Sequence, residues 1–535
     1  MKSNVIKLVQ NIAESLHLKP QHSFAGGVHP KQFKRTAHEM IVDCPLPPVL
    51  IQPIKQHIGE LCEPIVQVGE RVLRGQKIAK SQGYLCAPVH ASSSGTVIKI
   101  DDHIIPHPSG MGLLSIFIEP DGKDEVDESL HPLPNYRSVD AIELRERVRK
   151  AGLAGLGGAA FPTFVKLVQD QQHPIETVIL NGIECEPWLT NDDQLMVEKA
   201  HEIIGGLDII MHMVEANQAI IAIEDNKPMA IESMQQTLLG MGLEESVRVE
   251  VLPTKYPQGG EKQLVEVLTG KEIPAGRLPI HIGVLSQNVG TSKAIYDAVC
   301  LGEALTDRIV TVSGDALPQP MNMRVRLGTP IRFILEQCGL EYLDDIKVIH
   351  GGPMMGELLS SVDVPVVKAS NGVLAMHKYS VMQAHHEEEP CIRCGDCGDV
   401  CPAGLIPNLL AMHCKEEKFD RAEDYKLFDC IECGACSYVC PSHIPLVHYF
   451  RFGKGQVAQI RREKDFAEES RVRSEARDAR IAKELAEKEE KRRVALERKE
   501  ARAKAAAEAA ATNTISEKPQ EPDVVVKTDK PEAES

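Results

Sequence analysis

CIRCGDCGDVCP (391–402) recurs as CIECGACSYVCP (430–441), and each copy reads C-x2-C-x2-C-x3-C-P. This is the spacing of two-cluster bacterial ferredoxins, in which the fourth cysteine of one run ligates the other run's cluster. It predicts one [4Fe–4S] cluster on Cys391, Cys394, Cys397 and Cys440. The second falls on Cys430, Cys433, Cys436 and Cys401. Close spacing lets three thiolates of one loop reach three corners of a cube, and the proline then turns the chain away. Zinc sites draw two ligands from each of two separated C-x2-C pairs, which does not explain two intact runs ending in C-P.

Working outward, 535 residues are enough for several domains. A net charge of −17 argues against nucleic acid as a partner. Of 15 cysteines, eight sit in the two runs; the rest (Cys44, Cys62, Cys86, Cys185, Cys300, Cys338, Cys414) are scattered without framework spacing. That suits a reducing cytoplasm. The start, MKSNVIKLVQNIAES, has no continuous apolar core of a secretory signal. No apolar run approaches the ~18 residues of a membrane span. The best candidate, IIMHMVEANQAIIAIE, is interrupted by Glu215, Asn217 and Gln218. The chain is expected to have no transmembrane segment of its own and to meet any membrane as a peripheral subunit.

After an N-terminal segment (1–40) containing FAGGVHP, residues 41–120 turn β-rich, with short Val/Ile runs split by Gly and Pro. IVQVGERVLRGQKIAKSQGYLCAPVHASSSGTVIKI (65–100) resembles a lipoyl/biotinyl-type barrel-sandwich, yet its tip, about 81–88, has no carrier lysine. From 136 to 305 apolar strands (TVIL, AIIAIE, VRVEVLP, HIGVLS) alternate with helical patterns, which predicts a parallel sheet covered by helices. Ligands in such sheets bind beyond the carboxyl ends of the strands. Those ends carry NGIECEPWLT, KYPQGGEKQ and QNVGTSK, and the glycine-rich AGLAGLGGAAFPTFVKL (151–167) opens a helix upstream. Four polar loops therefore converge on one sheet edge, the strongest residue-level sign of a cofactor pocket. Residues 306–380 return to β, the ferredoxin unit spans 385–450, and 455–535 is a charged helical stretch ending in a Pro/Glu/Lys/Thr-rich, disordered segment.

The loop GLGGAAFPT (155–163) places three glycines before a helix. Glycines let backbone N–H groups approach a phosphate, and a helix N-terminus favours an anion. It is neither a Walker loop nor a GxGxxG fingerprint, and the alternative is a plain tight turn. A [4Fe–4S] centre moves one electron at a time, whereas a nicotinamide delivers a hydride; a flavin converts one into the other. A phosphate loop beside two clusters therefore suggests FMN.

GLGGAAFPT resembles the GxGGAGFPT loop of the FMN- and NADH-binding flavoprotein subunit of respiratory complex I. NGIECEPWLT resembles that family's NxDExEPGT loop, and YPQGGEKQL its YxxGEExAL loop. With FAGGVHP, the lysine-free barrel-sandwich and the tandem cysteine runs, residues 20–450 resemble the RnfC family of the Rnf ion-translocating oxidoreductase. The resemblance implies a multidomain α/β chain: barrel-sandwich hybrid, Rossmann-like FMN domain with a parallel sheet, a β-grasp (SLBB) domain, a two-[4Fe–4S] ferredoxin-like domain and a helical tail. It implies noncovalent FMN held on the phosphate side by Gly155, Gly157, Gly158 and Lys166. Asn181, Glu184 and Cys185 would line the flavin, with Gly259, Gly260, Glu261, Asn288 and Thr291. Phe161 would stack on the nicotinamide or adenine, and Glu186 and Glu261 would lie near NADH. Ile183, Gly260 and Leu156 depart from the complex I pattern, which has Asp, Glu and Arg there.

The implied activity is NADH-dependent oxidoreduction by a peripheral subunit on the cytoplasmic face of the bacterial inner membrane. Electrons would pass between NADH or NAD+, FMN, two [4Fe–4S] clusters and partner subunits of an ion-translocating redox complex. The alternatives are a wiring and docking subunit without nucleotide, left open by Ile183 and Gly260, or a soluble dehydrogenase or hydrogenase flavoprotein module. Trp188 reads equally as cofactor neighbour or packing anchor, Cys185 as a pocket wall, Cys414 as a buried spare, and the histidines of GGVHP and His385–His386 as structural or linker residues.

Overall fold

The computed structural model describes residues 23–512, apart from 108, 169–171, 379 and 381–386. The N-terminal residues 1–22, the expected linker histidines His385 and His386, and the expected disordered end from 513 lie outside the described residues.

The β-branched runs of the central region form strands Thr177–Gly182, Gln218–Glu224, Val247–Leu252 and Val284–Asn288. All four are parallel, and across the sheet their order is third, second, first, fourth. The chain thus winds outward in one direction, returns, and adds its last strand on the other side of the first. This is the doubly wound arrangement, and its switch point lies between the first and fourth strands. HIGVLS was expected as a strand over 281–286, but the strand begins only at Val284. Pro279 opens a 3-10 turn, Pro279–Ile282, which Gly283 ends with φ +75. Helix Ala200–Val214 packs so closely on helix Val289–Tyr296 that a Cβ at Gly206 would fall 1.9 Å from Ser292 O.

Upstream, a four-stranded sheet (Leu50–Pro53, Gly112–Pro120, Gly95–Ile104, Arg71–Val72) faces a three-stranded one (Cys62–Pro64, Lys77–Ser81, Val89–His90). Between them Leu50, Ile78, Val97, Ile116 and Ile118 are fully buried. The expected lower boundary of this domain moves. Val42–Asp43, placed within 41–120 by the sequence reading, instead pairs parallel with Met321–Arg326 at the edge of another sheet. Arg324 Nε donating to Asp43 Oδ1 at 2.6 Å ties it there.

That other sheet is built on Asp307–Ser313, Met321–Arg326, Ile346–His350, Glu357–Leu358 and Gly372–His377, with helix Ile331–Gln337. In order of sequence its five strands lie second, first, fifth, third, fourth, and the first and fifth are parallel. In the ferredoxin region each cysteine run closes into a short helix, Asp396–Asp399 and Ala435–Tyr438, and helices Pro407–Lys415 and Phe419–Asp424 separate the two.

Residues up to Lys454 form one compact unit and those from Gly455 a second. The described part of the second belongs to helix Leu446–Thr512. It carries ion pairs at helical spacing, such as Arg471 with Glu468 and Glu475, as expected of a solvated, salt-bridged helix. Among the described residues no helix is long and apolar enough to cross a membrane.

Candidate functional site

The switch point brings Asn181 and Asn288 into register at the carboxyl ends of the first and fourth strands. Asn288 caps the helix that follows, accepting from Gly290 N at 2.8 Å, while its amide donates to Asp192 Oδ2 at 2.7 Å. The glycine loop closes over this point. Leu156 N donates to Thr291 Oγ1 at 2.9 Å, and a Cβ at Gly157 would lie 3.2 Å from the Asn288 Cβ. Gly158, at φ +102, lets the tip turn with its backbone exposed. Behind the loop, helix Thr163–Lys166 aims Lys166 at Glu261, 2.8 Å away. Gly155, Gly157, Gly158, Lys166, Glu261, Asn288 and Thr291 therefore meet at one edge of the sheet. Phe161 anchors the loop through its carbonyl, which accepts from Gly155 N at 2.7 Å, and its ring is half-buried.

The loop after the first strand forms the adjoining wall. Asn181 donates to Gly259 O at 2.9 Å, and Gly259 N donates to Cys185 Sγ at 3.4 Å. Burial pushes the Cys185 thiol far up, so it is a pocket wall and not a thiolate. Glu184, expected against the flavin, does something else in the fold. At φ +47 it turns its carboxylate onto the start of helix Asn191–Glu198 and accepts from Asp192 N and Asp193 N. Burial and the Glu184 charge raise Asp192 to about 7. Glu186 is also occupied: it accepts from Met354 N at 3.0 Å and Met355 N at 2.9 Å, and burial raises it to about 7. Gly260 caps helix Glu261–Thr269, and a Cβ there would meet Gln263 Oε1 at 2.6 Å, so the glycine belongs to this local packing.

Sequence reasoning missed Lys34 and Tyr256. The Lys34 ammonium donates to three carbonyls of the wall loop, Glu184 O and Glu186 O at 2.9 Å and Leu189 O at 2.7 Å. Tyr256, fully buried, donates to Cys433 O at 2.6 Å and so joins the sheet domain to the second cysteine run. The only sequence signal was that both stand in the polar stretches already singled out, FAGGVHP with its continuation and KYPQGG.

Cys401 lies with Cys430, Cys433 and Cys436, and not with its own run, around a pocket of roughly 350 Å3 that Leu405, Leu410 and Phe450 help to line. The crossing of the fourth cysteine, expected from spacing, is thus present in the fold. Cys391, Cys394 and Cys397 form a second group within electrostatic reach of one another. Glu389 N donating to Ser442 O and Ser442 Oγ to Pro390 O, both at 3.0 Å, bring the Cys440 segment to the start of that run. The two groups differ in exposure: Cys433 and Cys436 are buried, Cys391 and Cys394 open to solvent. The buried group also faces FAGGVHP, where Gly27 N donates to Val400 O at 2.9 Å.

Residues 148–297 match the Nuo51 FMN-binding domain, 22–123 the RnfC barrel sandwich hybrid domain, and 390–444 a 4Fe-4S dicluster domain. The RnfC component of the ion-translocating oxidoreductase complex from Yersinia pestis bv. Antiqua (strain Antiqua) is 46% identical over 462 residues, covering 86% of this chain and 73% of the relative. The chain belongs to the RnfC family of ion-translocating oxidoreductase complexes. The same component from Pectobacterium carotovorum subsp. carotovorum (strain PC1) is 46% identical over 467 residues; 87% of this chain is covered but only 62% of that relative, so the chain spans less than two thirds of its length. Among solved structures, an NAD+-reducing [NiFe]-hydrogenase in the air-oxidized state shows 19% identity over 56% of this chain and 60% of its own, with a TM-score of 0.41.

This RnfC-family chain thus carries a barrel-sandwich, an FMN-binding and a 4Fe-4S dicluster domain in a mixed α/β fold. Its residues fit both groups. Four thiols around one pocket are the donor set of a [4Fe–4S] cluster. At the glycine loop, exposed backbone sits where side chains would fill the space above Asn288. The remaining candidates resolve as structural. Trp188 stacks on Phe33 with ring centroids 4.9 Å apart and packs with Leu189, Ile349, Leu374 and Met376, a packing anchor. His29 Nδ1 meets Thr254 O at 3.1 Å, and Cys414 is fully buried among Leu410, Leu427 and Phe450.

Proposed function

We propose that this chain is the nucleotide-facing electron-transfer subunit of a membrane-bound, ion-translocating redox complex. On this reading it passes electrons between NADH, FMN and two [4Fe–4S] clusters and hands them to partner subunits. The carrying observation is the bond from Tyr256 OH to Cys433 O at 2.6 Å, which fixes the buried cysteine group against the flavin-side loops. The more exposed group on Cys391, Cys394, Cys397 and Cys440 then becomes the exit toward a partner. Bound FMN supplies the conversion of a hydride into single electrons. The chain's own residues do the rest. Gly155, Gly157, Gly158 and Lys166 hold the phosphate, and Asn181, Cys185, Gly259, Gly260, Asn288 and Thr291 line the ring, with Glu261 orienting Lys166. Glu184 and Glu186 hold the wall, and Phe161 stands at its outer edge beside the dinucleotide.

The strand order second, first, fifth, third, fourth over 307–377, with its single helix, supports reading that segment as the β-grasp (SLBB) domain. The long helix and the absence, among described residues, of an apolar span support a peripheral position, here placed on the cytoplasmic face of the inner membrane. The net charge of −17 supports protein subunits and not nucleic acid as partners.

The test is a cofactor inventory of anaerobically purified full chain with NADH titrated under an absorbance spectrometer. About eight irons and one FMN per chain, both chromophores bleached by NADH, are expected. Iron without flavin, and no response to NADH after FMN is added, would leave the sheet domain a scaffold.

A further inference from the structure

Outside the ferredoxin cysteines, one group of buried soft ligands is gathered among the described residues. The ligand atoms of His57, Cys62 and Cys86 all lie within 4.8 Å of one another inside the barrel-sandwich. Cys62 Sγ is 3.2 Å from Cys86 Sγ and 3.3 Å from Ala87 O, and His57 Nε2 is 3.1 Å from the same carbonyl. Zinc bonds of about 2.0 to 2.3 Å in a tetrahedron give ligand-to-ligand edges of about 3.3 to 3.8 Å. The three spacings lie at or just below the lower end of that range, so small outward shifts would open the set around one ion.

We propose that His57, Cys62 and Cys86, with Ala87 O as fourth ligand, form a structural zinc site. Two thiolates, an imidazole and a carbonyl are a donor set that suits zinc. The imidazole is held in place: Nδ1 lies 3.1 Å from Ile58 O, the backbone partner that commonly orients a metal-bound histidine. Ala87 N donates to Nε2 at 3.0 Å, a contact the ion replaces. Charge also balances. Two thiolates neutralise the divalent ion, and the buried Lys368 ammonium lies within electrostatic reach of both sulfurs. In a reducing compartment, paired buried cysteines point to metal before disulfide.

The ion would cross-link the hairpin tip, where related carrier domains bear their lysine, to the loop at 57–62. The same structure is tied to the glycine loop. Ile58 N donates to Ala160 O at 3.0 Å, and Lys368 Nζ donates to Pro88 O at 2.8 Å and Gly152 O at 2.7 Å. Zinc would therefore stiffen the floor under the proposed FMN loop. That consequence rests on the flavin reading; the site itself does not.

The test is zinc and iron content of the anaerobically purified full chain, with zinc K-edge absorption on the wild type. About one zinc per chain is expected, with two sulfur and two nitrogen or oxygen neighbours. In the double variant Cys62→Ser, Cys86→Ser, zinc should fall at least tenfold with iron unchanged. The absorption spectrum needs no variant and stands even if the double variant misfolds. Background zinc in wild type after added zinc chloride overturns the proposal. So does a four-sulfur zinc spectrum, which would place the ion on ferredoxin cysteines, or a Cys62–Cys86 disulfide found by peptide mass. Loss of zinc without loss of FMN would remove only the link to the loop.

Discussion

Replacing Lys34 by Met keeps the apolar stem and removes one charge that three backbone carbonyls share at 2.7 to 2.9 Å. Each such bond to a charged donor contributes about 1.5–3 kcal/mol. Part of that sum is offset by burying the ammonium, whose pKa is lowered first by burial and then by Lys227. Removing one partner of a buried charged set costs about 3–5 kcal/mol. The loss falls on residues 184–189, whose other tethers are the Glu184 cap and the Glu186 bonds to Met354 and Met355. If about 3 kcal/mol of that order is needed to present the pocket wall, FMN affinity should fall about a hundredfold, at about 1.4 kcal/mol per tenfold. Two assays read it: fluorescence titration of the flavin-stripped full chain with FMN, and limited proteolysis between 183 and 190 without flavin. The reasoning fails if Lys34→Met cleaves no faster there than wild type and binds FMN within about twofold. Faster cleavage with unchanged FMN affinity would keep the clamp but separate this loop from the pocket.

Cys401→Ala should lower iron from about eight to about four per chain while the cluster on the first run survives, which Mössbauer spectra of the variant would show; loss of the first-run cluster instead would contradict the crossing. Glu186 has a folded pKa raised to about 7 by burial, above its unfolded value of 4.5, so the fold binds the extra proton between those values. Stability should therefore fall as pH rises from 4.5 to 7, and Glu186→Gln should flatten that slope in urea titrations followed by the single tryptophan, Trp188. Gly206→Ala would drive a Cβ to 1.9 Å from Ser292 O and separate two packed helices, costing on the order of 2–3 kcal/mol or more in thermal unfolding.

What the sequence alone determined is what depends on local spacing and period. The cysteine runs named their ligand crossing, because two copies at fixed offsets leave one workable cube for each. The β-branched segments named the parallel sheet, and its carboxyl-end loops named the region of the pocket, because strand direction fixes which ends gather. Local signals did not reach contacts made across the chain. That Val42–Asp43 leaves the barrel-sandwich for another sheet follows from pairing with residues nearly three hundred positions away. Glu184 and Glu186 sit in a loop that resembles a cofactor wall, yet their carboxylates cap Asp192 and Asp193 and hold Met354 and Met355. No periodicity marks Lys34, whose three carbonyl partners come together only when residues 184–189 fold over it. The same holds for His57, Cys62 and Cys86, ordinary scattered residues in the sequence. Tertiary packing alone sets them around one point, because buried polar and soft groups must find partners wherever the fold brings them.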